Sequence, residues 1–493
     1  MVFSPNEAAG QNLEIDVNSI LAQNLQLELP IKPASPQEVQ RIIRSLDNRK
    51  APGFDLITKE ILVQLPRKAI VLITALYNAM LRLQYIPSLW KVSQIIMIHK
   101  VGKTPYDKTS YRPISLLPVL SKVFEKLLLR RLTPILMERD IIPNHQFGFR
   151  PQHGTVEQAH RVCASIRRSL ENKEYCSSAF LDIQQAFDKV WHRGLLCKIK
   201  QTLPHSYFLI LESYLSGRIF YVKEAEETSD FYAINARVPQ GSVLGPVLYT
   251  LYTADLPLTP GVITATYADD TAILASSADP RQASDTLQVG LDKVNKWMQT
   301  WRIKASATKS VQVTFALRYG NCPPVKLGDK ILPTSDCVKY LGLHLDRRLT
   351  WKNHIKAKRD EISIQHRNLY WMLGRNAKLS LDNKLLLYKA IIKPIWMYGI
   401  QLWGSASDSN VNVIQRQQNK ILRSIANVPW YVTNNEIMEH LSMNSVRHEI
   451  RSNTSRYKER LLNHPNELAR QLTIDDCIKR LRRHNILELQ NRH

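Results

Sequence analysis

Between residues 35 and 84, polar and apolar positions follow the spacing of amphipathic helices. Residues 1–37 are mostly polar and end in a proline-rich segment. Residues 35–46 then have the pattern of a helix that begins at Ser35, with Pro36 in its first turn, and helical spacing recurs as far as residue 84. The chain therefore begins as an extension that is followed by helices.

Strand-like patterns come next and are separated by further helices. Apolar runs at 90–100, 179–183 and 263–275 predict strands, 219–238 predicts an extended stretch and 239–242 a turn. The segment 110–118 contains two prolines and predicts a loop, which leads into an apolar helix over 118–137. From about residue 354 the pattern is helical, with breaks at Pro394, Pro429 and Pro465. We therefore expect an α+β protein that ends in a helical region.

The net charge of the chain indicates what kind of partner it binds. The 493 residues include 67 Lys and Arg against 43 Asp and Glu, so the formal net charge is +24. Residues 351–493 alone hold 24 basic and 12 acidic side chains, which is half of the excess. Such a field favours polyanions, of which nucleic acid is the commonest, and makes the C-terminal part a candidate binding surface.

Cysteines and apolar runs bear on the compartment. The six cysteines are scattered without a CxxC or Cys/His cluster, which argues against a zinc site and against a disulfide framework. No apolar stretch approaches the ~18 residues that span a bilayer, and the N-terminus lacks the pattern of a signal peptide. We expect an intracellular protein, in the nucleus, the cytoplasm or both, without a membrane partner.

Acidic residues at predicted strand ends are the first candidates for chemistry. Asp269 and Asp270 are adjacent in YADD (267–270), where a tight strand–turn–strand would expose both carboxylates at a hairpin tip. Asp182 ends another apolar run, FLDI (180–183). Three carboxylates from such strand ends can hold two Mg²⁺ ions for phosphoryl transfer, whereas spacing alone favours unrelated, solvated loop acids, which are the commoner case.

Several segments, taken together in chain order, decide between these alternatives. FLDIQQAFD, PQGSVLGP and YADD resemble the polymerase motifs of reverse transcriptases, and the flanking segments resemble the ordered blocks of non-LTR retrotransposon enzymes, most closely the jockey-like elements. The segments are RKAPGFD (49–55), YRPISLLPVLSKVFEK (111–126), QFGFRPQHGT (146–155), FLDIQQAFD (180–188), PQGSVLGP (239–246), YADD (267–270) and YLGLHLD (340–346). The resemblance runs from about residue 35 to about residue 475.

The resemblance implies a right-hand polymerase fold of fingers, palm and thumb, with an antiparallel palm sheet and a basic helical C-terminal region. It implies an N-terminal extension over 1–37, fingers and palm over 38–345, a thumb-like helical region over 346–430 and a basic helical region over 431–493. In related elements an endonuclease domain precedes the polymerase. Because the polymerase blocks begin within about 50 residues of Met1, we expect a chain without that domain, a fragment or truncated copy.

The resemblance also assigns catalytic roles. Asp182 and Asp269 are expected to hold two Mg²⁺ ions, or Mn²⁺ in their place, and Asp270 to complete the metal-binding cluster. Lys309, in WRIKASATKS (301–310), resembles a lysine that protonates the pyrophosphate leaving group. Family members usually carry Asn where Ala305 stands, and this departure weakens the assignment of Lys309.

Nucleotide-binding roles are implied for five more residues. Arg112 and Lys100 match cations that meet the triphosphate, although a solvated surface role also suits Lys100. Phe187 matches a bulky gate against the 2′-hydroxyl of a ribonucleotide, and the same residue would suit a core position. Gln240 is expected to contact the nucleotide or template, and Gly241 to let the backbone approach it. For Gln240 the alternative is an ordinary turn amide.

Two more features concern the primer and template. Tyr340, Leu341 and Gly342 resemble the hairpin that grips the primer strand, and they would equally suit a buried strand and turn. Five tryptophans interleave with the basic helices of the last third, where they either stack on bases or pack in the core. They are Trp351, Trp371, Trp396, Trp403 and Trp430.

The implied function is RNA-directed DNA polymerisation, with an RNA template, a DNA primer and deoxynucleoside triphosphates as partners. A chain without turnover that only binds nucleic acid is the alternative. An RNA-templated RNA polymerase or a maturase-like splicing factor is a third reading, and the bulky Phe187 counts against it.

Overall fold

The computed structural model of the chain describes residues 3–6, 11–23, 30–100, 102–107, 110–474, 481 and 486–491. The chain divides into two compact units, each built from several chain segments. The first unit consists of Met1–Phe149, Ile183–Pro257 and Lys293–Ser306, and the second of Arg150–Asp182, Leu258–Asp292 and Ala307–His493. In the described part of the chain, every helix is too short or too polar to cross a membrane.

The α-helices, in chain order, are α1 (Gln11–Ala22), α2 (Pro36–Arg44), α3 (Lys59–Val63), α4 (Arg67–Leu83), α5 (Val119–Glu138), α6 (Thr155–Glu171), α7 (His192–Thr202), α8 (His205–Leu215), α9 (Gly245–Tyr252), α10 (Pro280–Thr300), α11 (Lys352–Asn368), α12 (Tyr370–Leu373), α13 (Leu381–Leu387), α14 (Lys393–Met397), α15 (Ile400–Trp403), α16 (Asp408–Ala426), α17 (Asn434–His440), α18 (Val446–Leu462) and α19 (Glu467–Arg470). Short 3₁₀ segments lie at Ser88–Lys91, Gln471–Thr473 and Ile486–Asn491, and a π-helical turn at Tyr388–Ile392.

The strands are β1 (Val92–His99), β2 (Tyr111–Leu116), β3 (Tyr175–Leu181), β4 (Ile219–Glu224), β5 (Glu227–Thr228), β6 (Tyr232–Ala233), β7 (Val262–Tyr267), β8 (Asp270–Ser277), β9 (Val311–Phe315), β10 (Lys326–Leu327), β11 (Lys330–Ile331), β12 (Thr334–Ser335), β13 (Cys337–Tyr340) and β14 (Leu343–Asp346). The predicted mixture of α and β structure is therefore confirmed.

The first helices form largely as their sequence predicts. The Ser35 side chain accepts a hydrogen bond from the N–H of Glu38 at the start of α2, and Pro36 occupies the first turn, where its missing N–H costs nothing. The helical pattern that continues to residue 84 is divided between α3 and α4. Pro66 stands between them as the N-cap of α4, because proline is accepted at a helix start and not in a helix interior.

The sheet of the first unit corrects one prediction. Its strand order is β2-β1-β4-β5, with β6 also paired to β4, and β1 pairs antiparallel with β2 and parallel with β4. The loop predicted at 110–118 is wrong, because residues 111–116 form β2. Pro113 pairs with Met97 at the edge of the sheet, which is the place in a sheet that tolerates a residue without an N–H.

Helices α2, α4, α5, α7, α8 and α9 share the main hydrophobic core of the first unit. The described N-terminal residues contribute to the same unit. Val17 of α1 is buried in this core, and Phe3 contacts Phe220 edge to face at 4.6 Å between ring centroids. The front of the chain, expected as an extension, is thus packed where it is described.

The sheet of the second unit has the order β12-β9-β3-β8-β7. The β3–β8, β3–β9 and β7–β8 pairs are antiparallel, and the short β12 is parallel to β9. Strand β3 lies in the middle and all seven of its side chains are buried. The apolar run 263–275 forms the β7–β8 hairpin, so its centre is a turn at the paired aspartates.

Helices α11 to α18 make up most of the remaining second unit, as the periodicity after residue 354 predicts. Pro394 does not break the helical path, which continues from α13 through the π-helical turn into α14. A wider turn next to Pro394 accommodates the residue that cannot donate to the preceding turn. The tryptophans divide by position: Trp351, Trp396 and Trp403 are buried, whereas Trp371 and Trp430 are exposed.

Candidate active site

The tip of the β7–β8 hairpin carries two carboxylates. Tyr267 pairs with Asp270, so Ala268 and Asp269 are the two central residues of the turn. Ala268 has φ of 57°, a left-handed conformation that costs a non-glycine residue about 1 kcal/mol or more. Strain of this kind concentrates at functional sites. The turn presents Asp269 and Asp270 side by side, as the sequence predicted.

Asp182 is brought next to this tip by strand register. Leu181, the last residue of β3, pairs with Thr271, so the antiparallel register places Asp182 beside Asp270, one step beyond the ladder. The N–H of Asp182 donates to the hydroxyl of Ser310 at 3.1 Å. Sequence reasoning missed Ser310, which directly precedes β9 and anchors the chain where β3 ends. Three strands of one sheet thus position the three carboxylates.

The three carboxylates interact electrostatically. Burial raises the pKa of Asp270 to about 6, and the charges of Asp269 and then Asp182 contribute in the same direction. Burial also raises the pKa of Asp269, with a further contribution from Asp182, while the backbone N–H of Asp269 itself opposes the shift. Carboxylates that resist simultaneous ionisation form a site that a cation would stabilise.

This cluster fits a divalent metal by its chemistry more than by its present geometry. Carboxylate oxygens are the ligands that Mg²⁺ prefers. Within the described ranges, however, no three His, Cys, Asp or Glu side chains converge closely enough to ligate one ion as they stand. Lys309 lies beside the cluster, with its Nζ 3.9 Å from Oδ2 of Asp182. The Lys309 side chain is largely exposed and that of Asp182 is about half-exposed, so both are free to reorient.

The PQGSVLGP segment lies in the first unit and is held against β2. The N–H of Ser115 donates to the carbonyl of Gln240 at 2.9 Å. Gly241 has φ of 113°, and a Cβ there would lie 2.6 Å from the carbonyl oxygen of Ser115. Glycine is therefore required for the close approach of two backbone segments of the protein itself.

The PQGSVLGP segment is also bound by Glu125, a residue that the sequence did not single out. Glu125 projects from α5, is 1% exposed, and its Oε2 accepts hydrogen bonds from the N–H groups of Val243 (2.7 Å) and Leu244 (3.1 Å). These N–H groups directly precede α9, where a helix N-terminus favours a carboxylate. The sequence does contain a signal for its burial, because Glu125 stands among apolar residues in 111–126.

The two candidate triphosphate cations lie on one hairpin of the first unit. Arg112 is an exposed residue of β2 and pairs with Ile98 of β1. Lys100 follows β1, is half-buried, and its backbone N–H donates to the carbonyl of Ser110 at 2.7 Å. Phe187 is also half-buried and stacks on Tyr249 at 4.6 Å between ring centroids, with Phe149 edge-on at 5.8 Å. The core position and the exposed gate are thus both compatible with Phe187.

A buried ion pair between Arg237 and Asp188 lies beside both Phe187 and the PQGSVLGP segment. Nε of Arg237, whose side chain is inaccessible to solvent, lies 3.2 Å from Oδ1 of Asp188, and Nη2 donates to the carbonyl of Pro113 at 2.9 Å. Burial lowers the pKa of Arg237 to about 10 and raises that of Asp188, against the attraction between them. The N–H of Val238 donates to the carbonyl of Phe187 at 3.0 Å. Both charged residues were missed, since only their burial distinguishes them.

The YLG segment forms the turn of the β13–β14 hairpin in the second unit. Leu341 and Gly342 have φ of 45° and 78°, which is the pattern of a two-residue type I′ turn. Tyr340 is buried against Phe180 at 5.4 Å between ring centroids, and the hydroxyl of Tyr398 donates to the carbonyl of Leu341 at 2.6 Å. This is the buried strand and turn that the sequence left open as an alternative.

The predicted residues therefore fall into two groups. Asp182, Asp269, Asp270 and Lys309 come together in the second unit, which also contains Tyr340, Leu341 and Gly342, while Arg112, Lys100, Phe187, Gln240 and Gly241 belong to the first. Residues 98–345, which include every residue of both groups, match the sequence profile of the family described as reverse transcriptase (RNA-dependent DNA polymerase). The chain belongs to the reverse transcriptase family. The family predicted from the ordered motifs is thereby confirmed.

Reverse transcriptases of insect mobile elements are similar to the chain along almost its whole length. A probable RNA-directed DNA polymerase from transposon X-element of Drosophila melanogaster is 44% identical over 99% of the chain and 54% of the relative. The RNA-directed DNA polymerase from mobile element jockey of the same organism is 40% identical over 99% of the chain and 55% of the relative. The chain spans about half the length of the curated relatives it matches.

Proposed function

We propose that this reverse transcriptase chain carries RNA-directed DNA polymerase activity, extending a DNA primer along an RNA template with deoxynucleoside triphosphates. The observation that carries the proposal is the carboxylate cluster of Asp182, Asp269 and Asp270 at adjoining strand ends, with the pKa values of Asp269 and Asp270 raised. The names of the relatives, RNA-directed DNA polymerases of mobile elements, support the same reaction.

We further propose that Asp182 and Asp269 hold two Mg²⁺ ions and that Asp270 completes the cluster. Mn²⁺ would suit the same oxygen ligands. When bound, the metal ions supply activation of the primer 3′-hydroxyl and stabilisation of charge on the phosphates. The protein's part is to keep the three carboxylates adjacent, which the hairpin turn and the hydroxyl of Ser310 support.

Lys309 is proposed as the proton donor to the leaving pyrophosphate. Its ammonium group lies next to Asp182 and is largely exposed, so it is able to move to a phosphate oxygen. Arg112 and Lys100 are proposed to bind the triphosphate, because a hairpin of two adjacent strands carries both cations. Gln240 and Gly241 are proposed to face the nucleotide or template.

Phe187 is proposed to exclude the 2′-hydroxyl of ribonucleotides. Its ring is fixed by Phe149 and Tyr249 and remains half-exposed, which suits a steric gate that must be rigid and still reach a substrate. The hairpin turn at Tyr340, Leu341 and Gly342 is proposed to contact the primer. In this assignment residues 38–345 serve as fingers and palm, 346–430 as thumb and 431–493 as a basic helical region.

Primer extension by the purified chain tests the proposal. The assay uses a DNA primer annealed to RNA, Mg²⁺ and deoxynucleoside triphosphates, and compares Asp269→Asn with Asp285→Asn, an exposed acid of α10. We expect Asp269→Asn to lose extension by at least 10²-fold while it retains template binding, and Asp285→Asn to extend normally. An Asp269→Asn variant that extends at the wild-type rate would refute the assignment.

Two other results would replace the proposed activity. Salt-sensitive template binding without any extension by the wild-type chain would favour a protein that only binds nucleic acid. Incorporation of ribonucleotides as efficient as that of deoxynucleotides would favour an RNA polymerase.

A further inference from the structure

Two neighbouring aromatic side chains project into solvent between α16 and α17. Trp430 is 89% exposed and Tyr431 is 69% exposed, and their rings meet edge to face with 6.0 Å between centroids. The N–H of Val432 donates to the carbonyl of Pro429 at 3.3 Å, so the two aromatics are the central residues of a β-turn. Two neighbouring exposed rings offer flat faces on which a ligand can stack.

The turn is fixed by the protein on both sides. Asn427 ends α16 in a left-handed conformation with φ of 50°, and Thr433 begins α17 with a complete capping box that includes Glu436. Between them, the guanidinium group of Arg423 donates to the carbonyls of Pro429, Trp430 and Val432 at 2.7–2.9 Å. The two exposed rings are therefore held on a pre-ordered backbone, which reduces the entropy that binding would cost.

A line of basic side chains on α16 leads to this turn. Arg416, Lys420 and Arg423 are spaced by four and three residues, so they share one face of the helix, and segment 411–433 contains no acidic residue. Arg416 and Lys420 are exposed, and within the described part of the chain neither has a carboxylate within 4 Å. The opposite face of α16 is buried through residues such as Ile414, Ile421 and Ile425.

We propose that the Pro429–Val432 turn and the exposed cations of α16 together bind an unpaired strand of nucleic acid. Bases stack on Trp430 and Tyr431, and phosphates pair with Arg416 and Lys420. Charge complementarity favours this occupant, because an apolar protein partner would gain nothing from exposed cations on the helix that leads to the rings, whereas single-strand binding needs stacking faces and cations together. The proposal rests on the proposed function for the presence of an unpaired template strand.

Affinity for a short single-stranded RNA, measured with the full chain by fluorescence anisotropy, tests the proposal. We expect Trp430→Ala to weaken binding about tenfold, because base–aromatic stacking is worth ~1–3 kcal/mol per base, and Trp430→Phe to restore most of the loss. Arg416→Glu is expected to reduce the slope of log affinity against log salt by about 1. Both side chains are exposed, so unchanged thermal melting should accompany each change.

Two matched controls separate this surface from general basic character. Tyr319→Ala removes a fully exposed ring elsewhere in the second unit, and Arg281→Glu reverses an exposed arginine of α10, outside the basic residues 351–493. Both controls should bind like the wild type. Equal losses in the controls, or no loss in Trp430→Ala and Arg416→Glu, would overturn the proposal.

The result is also distinguishable from the outcome of primer extension. A wild-type chain that extends a primer, together with a Trp430→Ala variant that binds RNA normally, would remove this surface and leave the polymerase assignment intact. A wild-type chain that binds single strands through Trp430 without extending a primer would support this surface and remove the polymerase assignment. Loss of affinity for a fully duplex RNA as large as that for the single strand would contradict base stacking, and a wild-type chain that binds no RNA would overturn the surface outright.

Discussion

Replacement of Glu125 by alanine should loosen the PQGSVLGP segment. The Oε2 of this buried carboxylate is the acceptor for the N–H groups of Val243 and Leu244, at 2.7 and 3.1 Å. Alanine leaves both donors buried without that acceptor. Because those N–H groups precede α9 directly, we expect the beginning of α9 and the glycine-containing turn before it to open more often.

The size of the effect follows from the two lost hydrogen bonds. A buried donor left without a partner costs ~1–3 kcal/mol, so two of them cost about 2–6 kcal/mol. Removal of the carboxylate offsets part of this free-energy cost, because a charged group no longer has to be desolvated at a position that is only 1% exposed. We therefore expect a net local loss of about 2–4 kcal/mol.

The pH dependence of this contribution has a definite sign. Burial raises the pKa of Glu125 above its ordinary value of 4.5, although the two N–H groups and the nearby Arg218 and Lys122 oppose the shift. The folded state then holds the proton to a higher pH than the unfolded state. Stability from this group is fully present below pH 4.5 and is lost as the pH rises through the raised pKa. Glu125→Gln, which cannot ionise, should flatten that decline.

Hydrogen exchange read by mass spectrometry measures the loss where it occurs. In Glu125→Ala the amides of Val243 and Leu244 should exchange at least ~30-fold faster, which corresponds to about 2 kcal/mol. Glu125→Gln keeps a side-chain oxygen and should stay close to the wild type, as should Glu138→Ala, an exposed glutamate of the same helix. Wild-type exchange rates at both amides in Glu125→Ala would refute the role assigned to this carboxylate.

Three further predictions concern the proposed active site. Gly241→Ala should lower the melting temperature and raise KM for deoxynucleotides, because the new Cβ would lie 2.6 Å from the carbonyl oxygen of Ser115 and the residue has φ of 113°. An unchanged melting temperature would show that the backbone adjusts easily. Calorimetric titration with Mg²⁺ should show affinity that falls about tenfold per pH unit below about pH 6, because the raised pKa of Asp270 means that a proton must leave before the cation binds, and Asp270→Asn should show a shallower dependence. Phe187→Ala should increase ribonucleotide incorporation at least tenfold relative to deoxynucleotides in single-nucleotide extension, whereas unaltered selectivity together with reduced stability would assign the ring to the core alone.

Much of the geometry of the candidate site was predictable because its signals are local. Asp269 and Asp270 stand between two β-branched runs, and a turn at that point follows from the sequence pattern alone. Ordered motifs were enough to assign the family. The loop expected at 110–118 failed for a local reason as well: Pro113 argues against a strand, and only its position at a sheet edge makes β2 acceptable.

Residues that act through distant contacts were not predictable. Glu125 stands in an apolar run, which hints at burial, but its partners Val243 and Leu244 are more than 100 residues away in the sequence. Arg237 and Asp188 have the sequence appearance of surface charges, although both are buried. Charged residues of this kind are identified by what they contact, and periodicity carries no information about that.

The candidate catalytic residues and the family could be read from the sequence, because motif order, strand-forming runs and the excess of basic residues are properties of short segments. Tertiary structure alone decided the register that sets Asp182 beside Asp270, since the two segments are almost 90 residues apart and a shift of one residue would turn the carboxylate to the other face of the sheet. It also decided that Trp351, Trp396 and Trp403 are buried while Trp430 faces solvent. Burial depends on which elements pack together, and identical side chains within one basic region meet different neighbours.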